Sequence, residues 1–75
     1  MSQDLYKTRE LLKKLPHGEA IPAVHVIDLL IKELGLVVDG EAIARVILWS
    51  LHEDGFLCYR SNLFFADTIS LTPEG

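Results

Sequence analysis

Hydrophobic residues recur at helical spacing in three successive segments of the chain. The first segment, residues 3 to 15, carries one apolar stripe and is followed by Pro16, which interrupts a helix because it lacks an amide hydrogen. The second segment, residues 23 to 34, lies between Pro22 and Gly35, which suit a helix start and a left-handed helix end. These patterns predict two amphipathic helices joined by the loop "PHGEAIP".

The third periodic segment begins after Asp39 and continues to residues 53–54. The Asp39 carboxylate is placed to accept hydrogen bonds from the first free amides, and Gly55 supplies the left-handed end. The connector before this helix reads "LVVD", and we expect Val37 or Val38 to plug the core there. The sequence therefore predicts three helices before residue 56.

The remaining residues change from helical to strand-like composition. "FLCYR" and "FFADTISLT" are rich in aromatic and β-branched residues, with the clearest alternation where Ile69 and Leu71 are interleaved with Thr68 and Ser70. "SN" between the two runs predicts a hairpin turn, and "EAI" in the first loop is a candidate for a short additional strand. The predicted class is α+β, in one domain covering residues 1–75.

This element order, with "KELGL", a connector and then "ARVILWSLHEDGFL", resembles the winged-helix fold of bacterial transcription regulators, in particular small prophage-type members. The specific piece is "LHEDGFL", which resembles the junction between a recognition helix and its wing. "ISLTPEG" is similar to the last wing strand followed by a helix start at Thr72, Pro73 and Glu74, which here indicates either a frayed tail or a helix cut short. The resemblance implies a three-helix bundle followed by a β-hairpin wing.

If the chain has the winged-helix fold that it resembles, the third helix has a core face and an outward face. The expected core of the domain consists of Leu12, Leu15, Ile27, Leu30, Leu34, Ala44, Ile47, Leu48, Leu51, Leu57, Ile69 and Leu71. The outward face of the third helix consists of Ala42, Arg45, Val46, Trp49 and Glu53. Reading base edges requires Arg, Lys, Asn or Gln on such a face, and Arg45 alone meets that need.

Two functions remain open from these residues. The first is a non-enzymatic module of transcriptional regulation that binds a second copy or another protein, because Trp is enriched at binding hot spots. Its predicted interface consists of Ala42, Val46 and Trp49, with Leu29 and Phe64 as further apolar candidates. The alternative is a sequence-specific DNA-binding regulator, whose candidate contacts are Arg9, Lys13, Lys14, Arg45 and Arg60. A third interpretation of Trp49 makes it ordinary core, covered by the first helix or the wing.

Charge favours the protein-binding hypothesis. The 75 residues carry a net charge of −4, and 49% of them are hydrophobic, which is rich for a small domain. Residues 1–15 hold four bases against two acids, whereas the rest of the chain holds three bases against nine acids. An acidic chain repels the phosphate backbone, so we expect weak binding to generic DNA.

Other function classes find little support in the sequence. Cys58 is the single cysteine, which excludes an intramolecular disulfide and suits a buried thiol in a reducing compartment. His17, His25 and His52 lie on three different elements without neighbouring ligands at metal spacing. No phosphate-binding glycine loop, apolar membrane span or signal core is present. We therefore expect a cytoplasmic protein without enzymatic activity, metal or cofactor.

Overall fold

The computed structural model of the chain describes residues 2–72. Its elements follow the predicted order of helices and strands: α1 Ser2–Leu12, β1 Ile21–Pro22, α2 Ala23–Leu34, α3 Gly40–Glu53, β2 Leu57–Arg60 and β3 Thr68–Leu71. The three strands form one antiparallel sheet in the order β1-β3-β2. This arrangement of three helices and a small sheet is compatible with a winged-helix-like α+β fold.

Glycine ends two of the helices because it adopts positive φ without steric cost. Gly35 closes α2 with φ 65°, as predicted. Gly55 follows α3 with φ 80°, and its amide donates to the His52 carbonyl at 3.1 Å while the Phe56 amide donates to the Leu51 carbonyl at 3.0 Å. This pair of hydrogen bonds is the Schellman arrangement, and it turns the chain from α3 directly into β2.

Helix α1 is shorter than predicted, since it ends at Leu12 and gives way to a turn before Pro16. The prediction for Asp39 is also wrong. Its side chain makes no capping hydrogen bond, and its own backbone is left-handed at φ 51°. Val37 and Val38 do not fill the core, being 91% and 73% exposed.

The connection between β2 and β3 is a seven-residue loop, residues 61–67, rather than the predicted two-residue turn at "SN". Asn62 makes hydrogen bonds across this loop rather than forming a two-residue turn. Its backbone amide donates to Asp67 Oδ1 at 3.4 Å, and its side-chain Nδ2 donates to the Ala66 carbonyl at 3.0 Å. Consequently "FFAD" belongs to the loop, and β3 begins only at Thr68. Residues 61–67 are called the wing loop below.

The hydrophobic core lies between the three helices and the sheet. Ten of the twelve predicted core residues are buried, while Leu15 and Leu34 are half-buried and pack against the core. The list of predicted core residues omitted Thr8, Phe56 and Tyr59, all of which are buried. Thr8 tolerates burial because its hydroxyl donates to the Asp4 carbonyl at 2.6 Å, within the same helix.

The end of β3 returns to the junction after α3. Thr72 Oγ1 lies 2.7 Å from the Gly55 carbonyl oxygen and 2.9 Å from that of Phe56, so its hydroxyl hydrogen is shared between them. The predicted helix start continues into Pro73 and Glu74, which lie outside the described residues. Across residues 2–72, no helix combines the length and the apolar character that crossing a membrane requires.

Candidate protein-interaction surface

The outward face of α3 presents apolar side chains to solvent at helical spacing. Val46 is 52% exposed and Trp49 is 45% exposed, and Ala42 one turn earlier is exposed as well. The opposite face, which contains Leu48 and Leu51, is fully buried. The predicted division of this helix into a core face and an outward face is therefore confirmed, and the interpretation of Trp49 as an ordinary core residue is wrong.

Two aromatic neighbours hold the Trp49 ring in place. The ring of Tyr59 on β2 stacks on it with centroids 5.0 Å apart and an interplanar angle of 25°. The His52 ring meets it edge-on at 5.2 Å and 82°. His52 is itself oriented, because its Nδ1 accepts a hydrogen bond from the Tyr59 amide at 3.1 Å. The indole is thus supported on one side and open to a partner on the other.

Arg45 stands beside this face but is engaged within the chain. Its Nη2 donates to Glu41 Oε1 at 3.0 Å, and its Nη1 donates to the Tyr59 hydroxyl at 3.1 Å. That hydroxyl donates to Asp67 Oδ2 at 2.9 Å, and Asp67 also lies 3.8 Å from Arg45 Nη1. We call these contacts the Arg45–Tyr59–Asp67 network. It neutralises the single base on the outward face and ties the wing loop to α3.

The network also changes the acid–base behaviour of its members. The hydrogen bond from Arg45 to Glu41, reinforced by the nearby Tyr59, raises the pKa of the arginine. Burial raises the pKa of the Tyr59 hydroxyl, and its hydrogen bond to Asp67 raises it further, because a phenolate there would face a carboxylate. Both shifts favour the protonation states that the network needs.

We expect the raised pKa of Tyr59 to make the fold less stable in alkali. The unfolded chain loses this proton near about pH 10, whereas the folded chain retains it, so stability is present below that pH and is lost as pH rises through the folded pKa. Urea unfolding between about pH 9 and about pH 11 measures the effect. Tyr59→Phe should have a flatter profile than the wild type, and identical slopes would contradict the assignment.

The wing loop carries a second apolar feature. Leu63, Phe64 and Phe65 are 90%, 85% and 79% exposed, which leaves three consecutive large side chains in solvent. The loop is braced from both ends, since Asn62 bonds to Asp67 and Asp67 reaches Arg45 on α3. The base of the wing loop is therefore tied to α3.

These two features together form what we call the interaction surface, which consists of Ala42, Val46, Trp49, Leu63, Phe64 and Phe65. Leu29, the remaining predicted interface residue, is half-buried on α2 and is not counted in this surface. A monomer seldom exposes so many large apolar side chains unless they have a use.

Comparison of the chain with protein-family models, with curated proteins and with solved structures finds no match.

The bases predicted for nucleic-acid contact do not form one positive surface. Arg9 pairs with Asp54 at 3.2 Å and its guanidinium lies 5.7 Å from the Phe56 ring centroid. Lys13 pairs with Glu10 at 3.4 Å. In the described part of the chain, the side chains of Lys14 and Arg60 make no hydrogen bond or ion pair, but Lys14 lies in the turn after α1 whereas Arg60 ends β2. Of the three predicted bases on α1 and in the turn that follows it, Arg9 and Lys13 are thus balanced by acids.

Other chemistry is sparse in the described part of the chain. Residues 2–72 contain no group of three His, Cys, Asp or Glu side chains placed to hold a metal ion. Cys58 is half-buried on β2 rather than fully buried as expected. Ser50 and His52 on α3 are not hydrogen-bonded to each other, since the Ser50 hydroxyl donates to the Val46 carbonyl at 3.0 Å and His52 Nδ1 accepts from the Tyr59 amide at 3.1 Å.

The sequence predicted Phe64 as an interface residue but missed the other members of the site that come from the wing. Tyr59 and Asp67 were read only as strand residues, and Phe65 was placed in a strand. One local signal was available: the run "LFF" directly follows "SN", and three adjacent large apolar residues cannot all face one side of a strand. The pairing of Arg45 with Asp67 had no local signal, because the two residues lie far apart in sequence.

Proposed function

We propose that this chain is a winged-helix-like, non-enzymatic module that acts in transcriptional regulation by binding protein rather than by reading DNA. One observation carries the proposal. The helix and the loop that a winged helix would present to DNA are here apolar at Val46, Trp49 and the wing tip, and the only base on the α3 face is engaged in an internal network. The transcriptional role rests on the resemblance of the element order and of "LHEDGFL" to winged-helix regulators.

The arrangement of Trp49 favours protein binding on energetic grounds. Its indole is already ordered by Tyr59 and His52, so docking a partner costs little further side-chain entropy. Large aromatic side chains supply much of the binding energy at interfaces, and they cluster at the centre of the contact. Trp49 lies about one helical turn from Val46 on α3, and it stacks on Tyr59, whose hydroxyl donates to Asp67 of the wing loop.

The electrostatics oppose DNA binding. Affinity for duplex DNA depends on neutralising phosphates and releasing counterions, and each useful base must be free to do so. Here Arg9, Lys13 and Arg45 are each paired with an acid, and the net charge of the chain is −4. Exposed ion pairs of this kind are individually weak, but a base must leave its acid before it can contact a phosphate. The cost of breaking the pair therefore lowers the free energy gained from that contact.

We expect weak binding to random duplex DNA at physiological salt. Few available bases mean few released counterions, so the logarithm of affinity should fall with the logarithm of salt with a slope shallower than about −3. Fluorescence anisotropy of a labelled duplex, titrated at several salt concentrations, measures both quantities. Tight binding at physiological salt that is lost in Arg9→Ala and Arg45→Ala would overturn the proposal in favour of a DNA-binding regulator.

The protein-binding arm of the test uses site-specific photocrosslinking in the native cell extract. In one variant a photoreactive residue replaces Val46 on the interaction surface, and in the other it replaces Val24 on α2. Position 24 is the matched control, because Val46 and Val24 both lie on helices and are 52% and 53% exposed. Crosslinks to protein are expected from position 46 and not from position 24. Equal crosslinking at both positions would mean that the interaction surface has no special role.

A further inference from the structure

We infer that the partner of the interaction surface is a second copy of this chain, in a two-fold dimer in which each wing tip covers the α3 face of the other copy. The inference rests on the proposed function, since it names the occupant of the same surface. It joins two apolar features that a single copy leaves exposed, namely a projecting loop and a shallow groove along a helix.

The recess lies along the first half of α3. It is a shallow groove of about 320 Å³ lined by Asp39, Ala42, Ile43 and Val46, and three of these four side chains are apolar. Its volume is at the lower end of the range for pockets that bind ligands, which suits one or two side chains rather than a large molecule. Phe64 and Phe65 project from the wing loop of the same chain and have the bulk to fill it.

The exposed apolar area is close to what a stable dimer requires. Three tip side chains that are about four-fifths or more exposed, at roughly 150–200 Å² each, present on the order of 450 Å². The half-exposed Val46 and Trp49, with Ala42, bring the total to about 650 Å². A standard interface buries about 800 Å² on each partner, so the surface nearly supplies one side of such an interface.

Charge favours one register of self-pairing. A two-fold contact places each surface against its own copy, and in the Arg45 network one arginine faces two carboxylates, Glu41 and Asp67, so this part of the surface carries a small negative charge. At the edges, Arg60 precedes the wing loop and Asp39 lines the groove, and within residues 2–72 neither side chain makes a hydrogen bond or an ion pair. Placing a tip in the groove of the other copy brings these opposite charges together, which favours that register.

A contact in which each tip enters the groove of the other copy also limits the assembly to two copies. If the tip of one copy enters the groove of the second, and the tip of the second enters the groove of the first, both features are used and no further copy can add. The dimer therefore has a defined size. A one-way, head-to-tail contact would instead leave a free tip and a free groove and would continue into polymers.

The experiment uses three variants of the full chain, each replacing exposed residues so that the fold is retained, as circular dichroism verifies. The tip variant combines Phe64→Asp with Phe65→Asp, the groove variant is Val46→Glu, and Val24→Glu is the matched control on α2. Sedimentation velocity gives the oligomeric state. Acrylamide quenching of the single tryptophan reports whether Trp49 becomes covered as concentration rises.

We expect the wild type and Val24→Glu to form dimers with Trp49 shielded at high concentration. The tip and groove variants should each bind themselves at least 100-fold more weakly, with Trp49 remaining accessible. An equimolar mixture of the tip and groove variants is decisive. The intact tip of one then meets the intact groove of the other, so a heterodimer with one of its two contacts restored should form.

Three results would overturn the inference. A mixture that stays monomeric would show that the contact does not run from the tip of one copy to the groove of the other. A tip variant that still dimerises would remove the wing loop from the interface. A wild type that is monomeric at millimolar concentration would exclude self-pairing, and if position 46 still crosslinked to another protein, the proposed function would stand with a different partner.

Discussion

Leu51→Ala is expected to lower the free energy of unfolding by about 2–5 kcal/mol. Leu51 is fully buried on the core face of α3, and its carbonyl accepts the hydrogen bond that closes the helix before β2. Truncation removes apolar burial and leaves a cavity that a tightly packed interior closes only in part. A 75-residue domain has a total stability of roughly 4–11 kcal/mol, so this change consumes a large share of it.

Urea unfolding followed by circular dichroism measures the loss, at a protein concentration low enough that association adds nothing to stability. Leu63→Ala is the matched control, because the same truncation occurs at a side chain that is 90% exposed in the wing loop. Its effect should stay within about 0.5 kcal/mol. Equal losses at the two positions would mean that the core does not lie between α3 and the sheet as described.

Tyr59→Ala is expected to lower the free energy of unfolding by about 3–5 kcal/mol, the cost typical of deleting a buried aromatic ring. The side chain is only 5% exposed, it stacks on Trp49, and its hydroxyl joins Arg45 to Asp67. Its loss removes the support of the indole and the tie between the wing loop and α3. Trp49 should therefore also become more accessible to acrylamide in the folded variant.

Tyr59→Phe separates the ring from the hydroxyl. It retains the stack on Trp49 and removes only the hydrogen bonds, so we expect a loss of about 1 kcal/mol and little change in tryptophan accessibility. If Tyr59→Phe were as damaging as Tyr59→Ala, the hydrogen-bonded network would outweigh ring packing. If neither variant altered Trp49 accessibility, Tyr59 would have no part in ordering the interaction surface.

The balance between Arg45 and its neighbours bears on both proposed activities. As long as Glu41 and Asp67 hold the guanidinium, α3 presents no free base on its outward face. The same contacts tie the base of the wing loop to α3 through Asp67. A single internal network thus weakens the electrostatic case for DNA and links the wing loop to the helix that carries Val46 and Trp49.

The sequence by itself determined the features that depend on residues close together in the chain. The bounds of α2, its end at Gly35 and the end of α3 at Gly55 follow from apolar periodicity and from the tolerance of glycine for positive φ. The exposed position of Val46 and Trp49 follows from the same helical geometry, because residues opposite a continuous core stripe must face outward.

The tertiary structure alone decided the features that depend on distant residues. Val37 and Val38 are as apolar as core valines, yet Leu36 packs on the core in their place because the turn after Gly35 directs it inward. The wing loop is long because Asn62 bonds across it to Asp67, a contact that strand alternation cannot reveal. The half-exposure of Trp49 and the neutralisation of Arg45 likewise require β2 and the wing loop to fold back on α3, which is a matter of packing between elements rather than of local preference.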